Sequence, residues 1–80
     1  MSSAGKIGAM IRFHRKKAKL SQVELALLAG VGKTAVFDAE KGKETIKLAT
    51  LFKLLYALNI SFAFNGPLVA IFERQYNEKG

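Results

Sequence analysis

Gly32, Lys33 and Thr34 form a short stretch that resembles the end of a phosphate-binding loop. The full motif, G-x-x-x-x-G-K-[ST], needs a glycine five residues before Gly32, but Leu27 occupies that position. That loop also follows a strand and opens a long helix, whereas a helical pattern precedes it here. We therefore do not expect nucleotide hydrolysis.

Side chains suited to catalysis or metal binding are few. The chain has one histidine, His14, and no cysteine. His14 falls on the apolar stripe of a helical pattern without a base partner or a second ligand, so we interpret it as a hydrogen-bonded core residue. No enzymatic activity, metal or cofactor is expected. The absence of cysteine, of a signal peptide and of a membrane-spanning apolar run predicts a cytosolic protein.

Positive charge is concentrated in the first 59 residues. They contain eleven of the thirteen Lys and Arg residues and four of the six acids, and so carry the whole net charge of +7. Residues 66–80 are neutral overall. Such an excess favours a polyanionic partner, because basic side chains release the counterions condensed on phosphates. A solvated basic surface kept for solubility is the alternative. Eighty residues allow one domain.

Two short helical patterns joined by a tight turn occupy residues 21–42. Ser21 and Glu24 have the spacing of a capping box, which predicts that a helix begins there. Gly30 supplies the left-handed conformation that ends this helix, and Gly32 is a candidate N-cap for the next one. The second helix is predicted for residues 34–40, with its small apolar residues inward. The stretch therefore predicts a helix-turn-helix.

Further helices flank this motif. Residues 1–5 are small and polar and are predicted to be disordered, and residues 6–18 form a basic amphipathic helix. From about Leu48 a fourth helix carries a stripe of leucines. These are Leu48, Leu51, Leu54, Leu55 and Leu58.

The period then changes to that of a strand at residues 60–64. Ile60, Phe62 and Phe64 alternate with small or polar residues and share one face. A lone strand needs a partner, and we expect its own copy in a second subunit, with these three residues at the dimer interface. Pairing with residues 68–72 is the alternative. Three interpretations of the rest of the tail stay open. It packs on a partner subunit, it docks another protein, or it is the end of the core.

The frame S-Q-x-E-L-A-x-x-A-G-V, followed by a seven-residue helix closing on A-E-K-G, resembles the XRE/Cro class of DNA-binding domains. Over residues 7–64 the chain is also similar to HipB-like antitoxins, the DNA-binding partners of Hip-type toxins. The resemblance implies an all-α fold: a small lambda-repressor-like helix-turn-helix bundle of four to five helices with a short C-terminal β-strand at a dimer interface. It assigns residues 6–65 to the DNA-binding domain and residues 66–80 to a C-terminal tail.

In helix-turn-helix proteins the second helix enters the major groove with its N-terminal residues at base edges. Lys33 can donate to guanine or to a phosphate, and Thr34 can bond a base edge or meet a thymine methyl. Phe37 departs from the small polar residue usual in the family, and it either contacts a thymine methyl or turns into the core. Asp38 also departs from the residue usual in the family. It either accepts a hydrogen bond from cytosine or pairs with Lys41 or an arginine.

Gln22 matches the family position that binds a phosphate and buttresses the recognition helix, although an ordinary exposed glutamine is the alternative. The residues predicted to contact DNA are Gln22, Gly32, Lys33, Thr34, Phe37, Lys41 and Lys43.

The resemblance implies a homodimeric repressor on a palindromic operator of double-stranded DNA. As a HipB-like antitoxin, it would also restrain a Hip-type serine/threonine kinase toxin and autoregulate its operon. Two alternatives stay open. One is a stand-alone XRE-family regulator, of phage or host origin, without a toxin partner. The other is a protein-interaction module that does not bind DNA specifically.

Overall fold

The computed structural model describes residues 2–79, which form five α-helices and, within that range, no β-strand. The predicted all-α fold class is confirmed. The helices are α1 (Ser3–Lys17), α2 (Gln22–Ala29), α3 (Lys33–Glu40), α4 (Leu48–Ala57) and α5 (Val69–Lys79).

Helix α1 begins earlier than predicted because Ser2 caps it. The Ser2 hydroxyl accepts a hydrogen bond from the Gly5 amide at 3.0 Å, which satisfies an otherwise unpaired donor of the first turn. The prediction of a disordered N-terminus at residues 1–5 is therefore wrong for residues 2–5. Met1 lies outside the described residues.

Gly8 allows α1 to lie directly against α3. A Cβ atom at this position would come within 2.7 Å of the Glu40 carbonyl oxygen and closer still to that of Ala39. Both oxygens belong to backbone, which cannot turn aside as a flexible side chain can. A residue with no side chain is therefore required where the two helices cross.

The core lies where the first four helices meet. Ile11, Leu25, Val36 and Leu54 are fully buried, and each comes from a different helix. Burying such a side chain contributes about 1.5–3 kcal/mol relative to leaving it exposed, so these four residues hold the bundle together. Leu48, the first residue of the predicted leucine stripe, is exposed at the start of α4.

Residues 60–64 form no β-strand within the described chain, because a strand must pair its backbone groups with a neighbour and no segment of residues 2–79 pairs with this one. Pairing with the same segment of a second subunit stays a prediction. The alternative partner at residues 68–72 is wrong, because most of that stretch is helical. Instead, Phe62 stacks on Phe52 of α4 with ring centroids 5.0 Å apart, and Phe64 meets Phe62 edge-on at 5.7 Å.

Helix α5 makes at most marginal contact with the other helices. Its large apolar side chains are exposed, as is Leu68 just before it. The tail is thus an ordered helix with an apolar side that nothing in the described chain covers. No helix within residues 2–79 combines the length and apolarity needed to span a membrane.

Candidate nucleic-acid interface

The start of α2 and the turn that follows it fix the helix-turn-helix. The Glu24 amide donates to the Ser21 hydroxyl at 3.0 Å, and the Glu24 carboxylate accepts from the Ser21 amide at 2.8 Å, so the predicted capping box is confirmed. The hydrogen bond from the Ser21 amide holds the pKa of Glu24 below its usual value. Gly30 ends α2 with a φ of 72°, and the Val31 amide donates back to the Ala26 carbonyl at 3.0 Å.

Helix α3 turns one face to the core and the other to solvent. Val36 is fully buried and Ala39 nearly so, whereas Lys33 and Thr34 on the first turn are exposed. Phe37 is 44% exposed and lines a shallow depression together with Lys33 and Thr34. The alternative in which Phe37 enters the core is therefore wrong. The structure brings these three predicted residues together on one surface.

The two ends of α3 differ in what they present. Gly32 caps the first turn without a side chain, and a Cβ added there would meet no atom within 4 Å. At the other end Lys41 places its ammonium over the Phe37 ring, 4.8 Å from the centroid. A cation held over an aromatic face in this way gains on the order of 0.5–1 kcal/mol at an exposed site. The positive charge of Lys41 thus lies directly beside the exposed ring.

Asp38 is neutralised by Lys43 rather than by the predicted Lys41 or an arginine. The Lys43 ammonium lies 3.4 Å from the Asp38 carboxylate, and the Lys43 amide donates to the Asp38 carbonyl at 3.0 Å. The turn after α3 returns the chain toward Asp38 and makes this pairing possible. Lys43 is therefore less free than Lys41 to meet a phosphate.

Gln22 ties the beginning of α2 to the end of α3. Its amide nitrogen donates to the Glu40 carboxylate at 3.3 Å, and the side chain is half-buried. The alternative of an ordinary exposed glutamine does not hold. This hydrogen bond joins α2 to the end of α3, and the phosphate contact predicted for Gln22 stays a prediction.

Arg15 completes this network, and its role was missed from the sequence, which predicted only a basic amphipathic helix in this region. It is only 8% exposed, and its guanidinium donates to both Glu40 oxygens, at 2.5 and 2.9 Å, and to the Leu20 carbonyl at 2.9 Å. Hydrogen bonding to Glu40 raises the pKa of Arg15 above its usual value. One signal was present, since Gly8, Ile11 and Arg15 have the i, i+3, i+7 spacing of a single helical face.

The remaining polar groups include the single histidine and further surface lysines. His14 is half-buried, with Nδ1 2.7 Å from the Met10 carbonyl oxygen, which agrees with its interpretation as a hydrogen-bonded residue. Across residues 2–79 there is no group of three His, Cys, Asp or Glu side chains that could hold a metal ion. Other lysines of the basic surface are exposed. These are Lys16, Lys17, Lys19, Lys47 and Lys53.

Comparison with known proteins gives the class. The profile of the helix-turn-helix family matches residues 11–65. Over 61 residues the chain is 39% identical to an uncharacterized HTH-type transcriptional regulator, y4mF, of Sinorhizobium fredii, a match that covers 76% of this chain and 80% of the relative. The chain therefore belongs to the XRE-type helix-turn-helix family of transcriptional regulators.

Solved structures share the fold. A chain in a structure described as a HipA-HipB-O2-O3 complex superposes with a TM-score of 0.74 at 23% identity, covering 82% of this chain and 93% of that one. A complex of a HipB variant with an O2 20mer matches equally well, covering 92% of its chain. These matches confirm the HipB-like architecture.

Proposed function

We propose that this protein is a non-enzymatic, sequence-specific DNA-binding repressor that reads its operator with α3 in the bacterial cytosol. The observation that carries the proposal is the division of α3 into two faces. Val36 and Ala39 fix the helix to the core, while the first turn and Phe37 project into solvent. A recognition helix needs this arrangement, because its base-reading side chains must reach the major groove from a rigid support.

The chemistry of the exposed face suits base edges. The Lys33 ammonium can donate to guanine O6 or N7, the Thr34 hydroxyl can bond a base edge, and the Phe37 ring can cover a thymine methyl. Gly32 makes no side-chain cap hydrogen bond to the first amides of α3, which leaves them available to a phosphate. Lys41, held beside Phe37, would then meet the DNA backbone.

Gln22 and Lys43 have secondary parts in this proposal. One amide hydrogen of Gln22 is used by Glu40, so the other remains for a phosphate at the start of α2. Lys43 would reach a phosphate only by leaving Asp38, an exposed pair of the kind worth about 0–1 kcal/mol. Contact by Lys43 is therefore compatible with its pairing in the free protein.

The functional unit of this proposal is a homodimer on a palindromic operator. Two recognition helices related by a two-fold axis would lie about 34 Å apart and read successive major grooves. Phe62 and Phe64 are 52% and 70% exposed at the end of the bundle, next to the half-buried Ile60. Exposed phenylalanines on a small protein favour burial against a second subunit.

The dimer is tested with Phe62→Lys. Monomers and weak operator binding are expected, because a charge would replace the apolar ring at the centre of the interface. The helical content measured by circular dichroism serves as the control for folding, since Phe62 also stacks on Phe52. A dimer that survives the substitution contradicts this interface.

We extend the proposal to an antitoxin role, in which the dimer also restrains a Hip-type kinase toxin. It is supported by a fold shared with HipB over 82% of this chain. A pull-down from the native host that recovers no kinase-like protein contradicts it.

A stand-alone regulator is the second candidate, because the Sinorhizobium relative is described only as a transcriptional regulator. A kinase gene beside this one separates the two.

Specific DNA binding is tested by titrating the protein with its own upstream DNA, in competition with random duplex, at two salt concentrations. Tight binding that survives the competitor is expected. Arg74→Ala serves as a control for net charge in the same titration. It removes one positive charge from α5 and leaves the α3 surface intact, so it should bind the operator as the native protein does. Weak binding that disappears with salt equally for both duplexes contradicts the proposal and favours a protein-interaction module.

A further inference from the structure

Two apolar features of this chain stay largely uncovered within residues 2–79: one side of α5 and a groove between α2 and α4, where Phe62 stacks on Phe52 but leaves it 39% exposed. We propose that α5 of one copy docks in the α2–α4 groove of a second copy, and that the second copy does the same in return. This inference rests on the homodimer proposed above and identifies the segment that each subunit exchanges.

The groove is open and mainly apolar. It has a volume of about 260 Å³, and its rim is exposed, with Tyr56 85% accessible to solvent. Large apolar side chains that cluster at an exposed groove mark an interaction site more often than scattered ones do. The lining residues are Leu28, Ala29, Phe52, Lys53, Tyr56 and Ala57.

Helix α5 has the form of a segment that fits such a groove. Val69, Phe72 and Tyr76 follow the i, i+3, i+7 spacing of one helical face, and the Phe72 and Tyr76 rings lie 5.9 Å apart. An isolated helix shorter than about 12–15 residues is marginal in water. Because α5 gains little from its own chain, burial of this face elsewhere would stabilise it.

Charge favours a second copy as the occupant. Lys53 stands at the rim of the groove, and no acid within residues 2–79 pairs with it. Glu73 is exposed on α5 next to Phe72 and can reach such a lysine when the helix docks. The arm at residues 66–80 is also neutral overall, so it does not add to the repulsion between two strongly basic bodies.

The linker before α5 is long enough, and the buried surface is large enough, for α5 to dock on a second copy. The segment at residues 61–68 can extend to about 27 Å, which is enough to cross to a neighbouring subunit. Burying the exposed parts of four aromatic rings in each of two symmetric sites removes on the order of 1,000 Å² from water. That is about the minimum of a specific interface before the phenylalanines after α4 are added. The rings are Phe52, Tyr56, Phe72 and Tyr76.

Because the native chain has no cysteine, introduced thiols report position directly. Tagged Tyr56→Cys protein is mixed with untagged Tyr76→Cys protein and oxidised mildly, and linked heterodimers are detected on a non-reducing gel. Both positions are highly exposed, so neither change threatens the fold. We expect a disulfide between copies, and its loss when Lys6→Cys on α1 replaces Tyr56→Cys.

Each other result overturns the inference. A dimer by analytical ultracentrifugation that forms no such disulfide leaves the homodimer standing but removes α5 from its interface. A monomer overturns both the homodimer and the exchange, while the DNA titration still tests operator binding. An intramolecular disulfide in the diluted Tyr56→Cys/Tyr76→Cys double variant means that α5 folds back on its own groove.

Discussion

Arg15 and Glu40 form a two-point ion pair that joins α1 to the end of α3. Two guanidinium nitrogens of Arg15 donate to the two carboxylate oxygens of Glu40, and both side chains are nearly inaccessible to solvent. Gln22 donates to the same carboxylate from the start of α2. Helices α1, α2 and α3 therefore meet at one buried carboxylate, which fixes the direction of α3, the helix proposed to read DNA.

Replacing Glu40 with Ala should lower the free energy of unfolding by about 3–5 kcal/mol, because it leaves the Arg15 charge buried without a partner. Asp38→Ala is the matched control on the same helix. It removes an exposed pair with Lys43 and should cost no more than about 1 kcal/mol. Chemical denaturation of both variants measures the difference, and equal losses would mean that the Arg15–Glu40 pair is solvated in solution.

Gly8→Ala should destabilise the bundle although alanine is the better helix former. Alanine gains about 1 kcal/mol of helix propensity, but its methyl group would press on the Ala39 and Glu40 carbonyls, and overpacking of this kind costs about 1–3 kcal/mol. Ala9→Gly, on the exposed side of α1, measures the propensity alone. Thermal unfolding compares the two, and a stabilised Gly8→Ala protein would contradict the close approach of α1 and α3.

Local signals predicted most of the helix-turn-helix from the sequence. The capping box at Ser21 and Glu24 and the helix-ending Gly30 act through residues a few positions apart, so their chemistry can be read directly from the chain. The same holds for the exposed first turn of α3, because the inward spacing of Val36 and Ala39 determines which side faces out.

Contacts between distant parts of the chain were harder to predict. The Arg15–Glu40 pair joins residues far apart in sequence, and although the spacing of Arg15 with Ile11 indicates one helical face, it does not identify Glu40 as the partner. At residues 60–64 the alternation of large and small residues is real, but a strand needs a partner that the single chain does not provide. The apolar run before Glu73 was compatible with several structures and forms a helix.

The stability added by the capping box should depend on pH. The hydrogen bond from the Ser21 amide lowers the pKa of Glu24 in the folded state. Because this pKa is lowered, the bond contributes its full stability when the pH is above 4.5, the ordinary pKa of the group. That stability is lost as the pH falls through the folded-state pKa. Between pH 7 and pH 3, the difference in stability between the native protein and Glu24→Gln should therefore shrink. The difference between the native protein and Glu44→Gln should shrink less.

Thermal unfolding of the three proteins at both pH values checks this. The Glu24→Gln variant is a suitable reference because a glutamine side chain also accepts the amide hydrogen bond of the capping box but does not titrate in this range. A difference between the native protein and Glu24→Gln that stays constant with pH would show that the cap does not favour the charged carboxylate.

Phe37 should read a thymine methyl in the operator. Phe37→Ala should weaken binding at one base pair by about 1–3 kcal/mol, and replacing thymine with uracil there should weaken the native protein but not the variant. Phe13→Ala is the matched control, since Phe13 is also exposed beneath a lysine but lies on α1. If uracil affects the native protein and Phe37→Ala alike, the ring does not contact the methyl.

Truncation of Lys33 and truncation of Lys41 should affect DNA binding in different ways. Lys33→Ala should cost about 1–3 kcal/mol of operator binding and relax discrimination at one base pair if, as proposed, the exposed ammonium of the first turn donates to a base edge. Lys41→Ala should weaken all sequences alike and reduce the salt slope by about one, because a phosphate contact carries no sequence information. Titrations of both variants against operator and single-base-pair substituted DNA separate the two roles. An unchanged sequence preference in Lys33→Ala removes Lys33 from the base-reading set and leaves Thr34 and Phe37 to account for specificity.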